Sequence, residues 1–315
     1  MAVGYILRRR LLRDRDRAED ACRRWSGRLK LTCIAVLMPP VTITAMMKSP
    51  LTGGNVLAMA GLGATCLLAG AILGRSYLVV WPMKPQEAGA FLGCATMSNL
   101  VSFGSLITFA FWGNAGLQQL HLFKLFEHVL YYGLFYPWCS TFSPDVNPQR
   151  TGIIQSFRRH PVTIVPIAVV VAGMAANFAV YEGFDLAGPP DWTQHINGVL
   201  VPVHVGVLTF AVGLSMSPSR VGRYWPQCAA IVSISFVARP AFAAAAGFVC
   251  LTVGLINDLG FRVTVLLSAM PVAFNALIPP SIYRLDEDLA NSCWIVTTAL
   301  MVLVVPVLYF VLGPV

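Results

Sequence analysis

Twenty-one consecutive residues, GNVLAMAGLGATCLLAGAILG (54–74), carry no charge, and NSCWIVTTALMVLVVPVLYFVL (291–312) does the same over a similar length. About 20 apolar residues wound as helix cover the ~30 Å of hydrocarbon in a bilayer. In hydrocarbon every backbone polar group must be satisfied internally, so only helices and closed barrels span it. A barrel would alternate inward and outward residues in segments of about ten, whereas ATCLLAGAIL and MVLVVPVLYFVL are apolar on all sides. The chain therefore reads as an all-α polytopic membrane protein. Its 11% charged residues, against 57% hydrophobic, set it apart from soluble domains, which carry about 25% charged residues.

Nine spans are readable, near 29–47, 54–74, 88–111, 119–138, 161–181, 196–216, 227–254, 261–283 and 291–312. Their loops carry basic charge alternately. On one side lie the Arg-rich N-terminus, Arg75 and Lys84, then Arg150, Arg158 and Arg159, then Arg220 and Arg223, and finally Arg284. The other side holds Lys48, an uncharged stretch near 112–118, then Glu182, Asp185 and Asp191, and Asp258. Cytoplasmic loops collect Lys and Arg, which places the N-terminus in the cytoplasm and the C-terminus outside, in the inner or plasma membrane. The opening MAVGYIL is too short to span and lacks the long apolar core of a signal peptide.

The net charge of +8 is local, since ten of the 22 Lys and Arg fall within residues 8–30. Beside a membrane span such a cluster reports orientation and contact with anionic lipid, and nothing in the chain calls for nucleic acid. Eight cysteines are scattered without C-x-x-C or zinc spacing, mostly inside apolar runs where they act as small hydrophobes. No metal site or cofactor is indicated. The chain contains no G-x-S-x-G, H-E-x-x-H, Walker A or dinucleotide fingerprint, and no pair of Asp within the spans, so an enzyme is not expected.

Two spans are interrupted. CATMSNLVSFGSLI (94–107) and LLSAMPVAFNALI (266–278) place small and polar residues in the middle of apolar runs, with Pro271 in the second. Proline removes a backbone donor and clashes with the preceding turn. Such a break is tolerated where the freed groups face a cavity rather than lipid. Corresponding broken spans in two halves point to the inverted repeats of secondary transporters, with the site where they cross. The longest loop, 139–160, divides the spans into two groups, giving a first repeat (1–145), a cytoplasmic loop (146–160) and a second repeat (161–315).

Several stretches resemble the auxin efflux carrier family, related to the plant PIN-type exporters and, more distantly, to the bile-acid symporters. They are GYILRRR (4–10), RHPVTIVPIAVVVAGM (159–174), VLTFAVGLSMS (207–217), ARPAF (238–242) and AMPVAFNALIPPSIYRLDEDLANSCWIVTTALMVLVVPV (269–307). The resemblance implies ten helices in two inverted five-helix repeats, with helices four and nine broken and crossed. It makes residues 1–7 the remnant of helix one, and it implies a dimer through a support bundle. Carried over, Pro271 is the crossover proline of helix nine and Asn99 the polar residue after the crossover in helix four. Ser98 stands where many members have proline, and His160 replaces the usual asparagine before Pro161.

The polar residues within the spans complete this reading. Ser98, Asn99, Pro271 and Asn275 are the expected substrate-binding set. Arg239, midway along its span, is a further candidate for a substrate carboxylate, with pairing to backbone carbonyls near Pro240 as the structural alternative. Glu127 and His128 are candidates for proton coupling, although Lys124 three residues earlier offers Glu127 an ordinary helical pair. His204 reads as structural and Asn177 as interfacial. The function expected is secondary transport by alternating access, in the efflux direction, of a small organic anion such as a dicarboxylate or an auxin-like acid, coupled to proton or sodium. The alternatives are a sodium-coupled carrier of the bile-acid-symporter type and a truncated membrane protein that does not transport.

Overall fold

The computed structural model describes residues 17–37, 54–144, 164–183 and 218–313, with single positions between 39 and 47 and between 192 and 214. Residues 1–7, the 146–160 loop, His160 and most of the 196–216 span lie outside the described residues. Among those described the chain is helical, with one isolated β-bridge and no strand.

Helix α1 (Arg17–Thr32) continues into a π-helical turn, Cys33–Leu37. It begins well before the span expected at 29. RAEDACRRW is rich in good helix formers, so the helix continues where the hydrocarbon-compatible run stops. Ser26 is fully buried and donates to the Ala211 carbonyl at 2.7 Å, so this basic helix is tied to a distant part of the chain.

Helix α2 (Gly54–Val80) is followed by α3 (Pro85–Thr96), which ends at the first break. Gly70 and Gly74 let α2 approach this end closely. A Cβ on Gly74 would sit 2.6 Å from the Ala95 Cβ, and one on Gly70 would overlap the Ala95 carbonyl. Small residues at such spacing are the usual means of close helix approach in membranes.

After the break, a π-helical turn (Leu100–Gly104) leads into α4 (Ser105–Phe123). Gly113 has φ 59°, a left-handed conformation that glycine adopts without penalty. There the chain doubles back: the Cβ position of Gly116 lies 3.0 Å from the Thr108 carbonyl, whereas eight residues of straight helix would separate them by about 12 Å. The uncharged 112–118 stretch is thus a hairpin bend. A turn at Lys124–Phe126 precedes α5, built of Glu127–Leu130, a π-helical turn Tyr131–Phe135, and Tyr136–Ser140.

Helix α6 (Ile164–Phe178) packs against the start of α5. Helix α7 comprises Trp225–Ser233, a π-helical turn Ile234–Ala238 and Arg239–Thr252. Pro240 cannot donate to the preceding turn, and the local widening to π geometry accommodates the lost bond. Helix α8 (Asp258–Ser268) stops at the second break; the chain resumes as a 3₁₀ turn (Phe274–Leu277) and the short α9 (Ile278–Tyr283). Pro279 and Pro280 lie in the first turn of α9, where a missing N–H costs nothing.

Helix α10 (Glu287–Leu312) is capped at both ends. The Asp286 carboxylate accepts from Leu289 N–H and from the Tyr224 hydroxyl, both at 2.8 Å. At the far end Arg262, ion-paired with Asp258 at 2.7 Å, donates to the Leu312 carbonyl at 3.0 Å, satisfying one of the orphan acceptors of a helix C-terminus. Among the described residues three helical stretches, 55–80, 221–252 and 287–312, are long and apolar enough to cross a membrane. They turn large apolar side chains outward, Phe310 at 92% and Val302 at 76% exposure, a surface suited to lipid. This is a multi-pass helical membrane protein.

Candidate functional site at the paired helix breaks

The two interrupted segments meet at their breaks. Ser98 and Val272 form an antiparallel bridge. Asn99 N–H donates to the Pro271 carbonyl at 2.8 Å, and Ala273 N–H donates to the Met97 carbonyl at 2.9 Å. Each break therefore supplies partners for backbone groups that the other has freed, which a buried backbone requires. Pro271 sits where no N–H is needed, and its carbonyl is used.

Four side chains complete the accounting. The Tyr131 hydroxyl accepts from Ser98 N–H at 2.8 Å and donates to the Ser98 carbonyl at 3.1 Å. Tyr136, five residues on, donates to the Asn275 carbonyl at 2.8 Å. Thr297 in α10 accepts from Val272 N–H at 3.2 Å and donates to the Cys293 carbonyl at 2.8 Å. Arg239 in α7 donates from Nε to the Ser268 carbonyl at 2.8 Å and from Nη2 to the Met270 carbonyl at 2.9 Å. These last two carbonyls belong to the end of α8, where the helix leaves acceptors unpaired and the backbone dipole favours a cation.

Arg239 is 1% exposed, so it does not reach toward solvent. It holds carbonyls, as the structural alternative anticipated, but those of another helix at its break. Two of its donor nitrogens are spent there. The third, Nη1, is buried without a hydrogen-bond partner among the described residues. The same is true of Nδ2 of Asn99, whose Oδ1 caps the following helix by accepting from Ser102 N–H at 3.2 Å. Asn99, through its backbone N–H, and Arg239, through Nη2, are tied to adjacent residues, Pro271 and Met270, so two residues that each keep an unfilled side-chain donor meet one short stretch of backbone. A buried donor left unpaired costs about 1–3 kcal/mol.

Ser98, Asn99, Pro271 and Arg239 are thus brought to one place. Asn275 lies beyond the second break, partly accessible, with its carbonyl held by Tyr136. Glu127 is one helical turn before Tyr131 and 2% exposed. His128 stacks on Tyr132 with ring centroids 6.0 Å apart. The residues that sequence reasoning missed are Tyr131, Tyr136 and Thr297. Their only signal is a hydroxyl on otherwise apolar segments, YYGLFY and IVTTALM.

No protein-family profile matches the chain. Among curated proteins it is similar to "Uncharacterized transporter MJ1031" of Methanocaldococcus jannaschii, with 24% identity over 250 residues covering 76% of this chain and 73% of that protein.

Proposed function

We propose that this chain is a secondary transporter of the plasma or inner membrane that carries a small organic anion, and that the paired breaks are its binding site. The observation that supports it most is the pair of buried, unfilled donors, Arg239 Nη1 and Asn99 Nδ2, set at a point where two half-helices end and begin. A carboxylate has the lone pairs to take both, and hydrogen bonds to a charged partner are worth about 1.5–3 kcal/mol each. The similarity to a protein named a transporter agrees with this reading. So does the resemblance to auxin efflux carriers, whose inverted repeats and crossed helices would make 1–145 and 161–315 the two halves.

Arg239 holds the α8 end and offers one further N–H to substrate; Asn99 offers the amide; Ser98 and Pro271 shape the backbone between them, and Asn275 lines the more accessible side. Dicarboxylates and auxin-like acids are the substrate class this site fits. Binding of labelled succinate and indole acetate to the purified protein in nanodiscs tests it. Arg239→Gln and Asn99→Ala are each expected to weaken binding of the accepted anion by roughly 10- to 100-fold, the equivalent of one charge-assisted bond. A neutral amide analogue is expected not to compete. Unchanged affinity in both variants would sink the proposal.

A further inference from the structure

The Glu127 carboxylate lies in the interior, 2% exposed, with Oε2 lacking a hydrogen-bond partner among the described residues. It stands one helical turn before Tyr131, whose backbone N–H donates to the Glu127 carbonyl, so the two side chains share a face. The Tyr131 hydroxyl, in turn, clasps both backbone groups of Ser98.

A phenol has one proton to donate, and here it is given to the Ser98 carbonyl. If Glu127 is protonated, its own O–H can donate into the remaining lone pair of the Tyr131 oxygen, and the clasp stays closed. If Glu127 is ionised, the carboxylate competes for the phenol proton, and a charged acceptor outbids a neutral carbonyl. The Ser98 carbonyl is then released from Tyr131. We propose that Glu127 carries the coupling proton of this transporter and that Tyr131 transmits its charge state to the helix breaks. The proposal rests on the breaks being the substrate site, and it names the coupling ion of that site.

The proton balance is simple. One proton enters from water onto the Glu127 carboxylate and leaves from it; Tyr131 keeps its proton throughout and redirects it. The charged and titratable groups facing this pair are few. Lys124 acts on Glu127 from the preceding turn, Tyr132 from the following one, and His204 acts on the neighbouring His128. Across Tyr131 stands Arg239. Of the helices packed against the start of α5, α6 has no titratable side chain in 164–178, and α2 contributes Cys66, Arg75 and Tyr77.

Infrared difference spectra of the purified full chain in lipid, recorded across a pH titration without any substrate, decide the question first. A protonated-carboxyl band is expected that disappears in Glu127→Gln and moves in frequency and midpoint in Tyr131→Phe. A band that survives in Glu127→Gln, or one indifferent to Tyr131→Phe, overturns the proposal. In proteoliposomes with labelled succinate, Glu127→Gln is expected to keep exchange at equal pH while accumulation driven by a pH gradient falls to the equilibrium level. Gradient-driven accumulation that persists in this variant also overturns it. Loss of anion binding as the role of Arg239 and Asn99 would appear separately, as exchange unaffected by their substitution, while the infrared result stands by itself.

Discussion

Thr297→Val is the sharpest test of how the breaks are held. Valine matches threonine in volume, so the change removes a hydroxyl without opening a cavity in a fully buried position. The hydroxyl accepts from Val272 N–H and shares its one proton between the Cys293 and Trp294 carbonyls, and the two losses are unequal. The Cys293 carbonyl, four residues earlier in the same helix, keeps its backbone donor. Val272 N–H has the Thr297 hydroxyl at 3.2 Å as its partner and lies between Pro271 and Ala273, whose groups are already committed to the other break. A buried donor left unpaired costs about 1–3 kcal/mol. Tyr136→Phe makes the opposite case. It removes a donor from the Asn275 carbonyl, which still accepts from Ile278 N–H, so the loss is an ordinary interhelical bond, about 0.6 kcal/mol in membrane proteins. Unfolding in mixed micelles by increasing SDS fraction, followed by tryptophan fluorescence, measures both. Thr297→Val is expected to raise the unfolding equilibrium constant about 5- to 150-fold, and Tyr136→Phe about threefold, from the same 0.6 kcal/mol. Equal costs, or a larger cost for Tyr136→Phe, would refute the accounting by which each freed group at the breaks has one indispensable partner.

Gly74→Val should push α2 away from α3, because even a Cβ would stand 2.6 Å from that of Ala95; overpacking of this kind costs about 1–3 kcal/mol in the same unfolding assay. Gly61→Ala, where nothing lies within 4 Å of the added atom, should instead be neutral or stabilising by up to about 1 kcal/mol, the helix propensity difference. Seven of the eight cysteines are buried and Cys250 is intermediate, so mass spectrometry after a brief maleimide pulse should find Cys250 labelled first and all eight only in SDS. Rapid native labelling of Cys293 would contradict the packing that puts its sulfur 3.9 Å from that of Cys228. Arg262→Ala should free the end of α10, seen as faster hydrogen exchange near residues 309–313, because Arg262 holds the Leu312 and Gly313 carbonyls.

Hydropathy made the long spans legible because lipid selects for apolar residues whatever their neighbours, and 54–80, 225–252 and 287–312 follow the expected runs closely. The breaks were legible too, since Pro271, Ser98 and Asn99 conflict with a continuous apolar helix. Their supports were not. Tyr131, Tyr136 and Thr297 sit in segments whose periodicity reads as plain core, and a tyrosine that grips a backbone looks in sequence like one that fills space. The π-helical turn at 131–135 matters here: residues five apart diverge by about 140° on a regular helix, and widening the turn helps one helix reach both breaks. The first boundary is not legible from charge: Arg17–Thr32 is helical because its residues favour helix although they are charged. The bend at Gly113 falls in the expected 112–118 loop, where Gly113, Asn114 and Gly116 give a turn-like composition.

What interrupts these helices is the partner backbone more than proline. The first break has no proline, yet it is as complete as the second, and its freed groups are taken by Pro271, Ala273 and Tyr131. Proline at 271 then removes a donor that would otherwise have to be satisfied, while proline at 98 would remove one that is already satisfied. The two positions should therefore both be sensitive, for opposite reasons. Pro271→Ala adds a buried N–H beside a backbone already committed to Met97 and Asn99, so it is expected to keep the break and to cost about 1–3 kcal/mol by the same rule. Ser98→Pro restores the residue that the resemblance leads one to expect there, yet it deletes the donor to Tyr131 and should cost about 1–3 kcal/mol. Combined with Tyr131→Phe, most of that cost should vanish, because the phenol is then no longer left with an empty acceptor. If Ser98→Pro were harmless in the wild-type background, the Tyr131 clasp would be decoration rather than support, and the link from Glu127 to the site would fall with it.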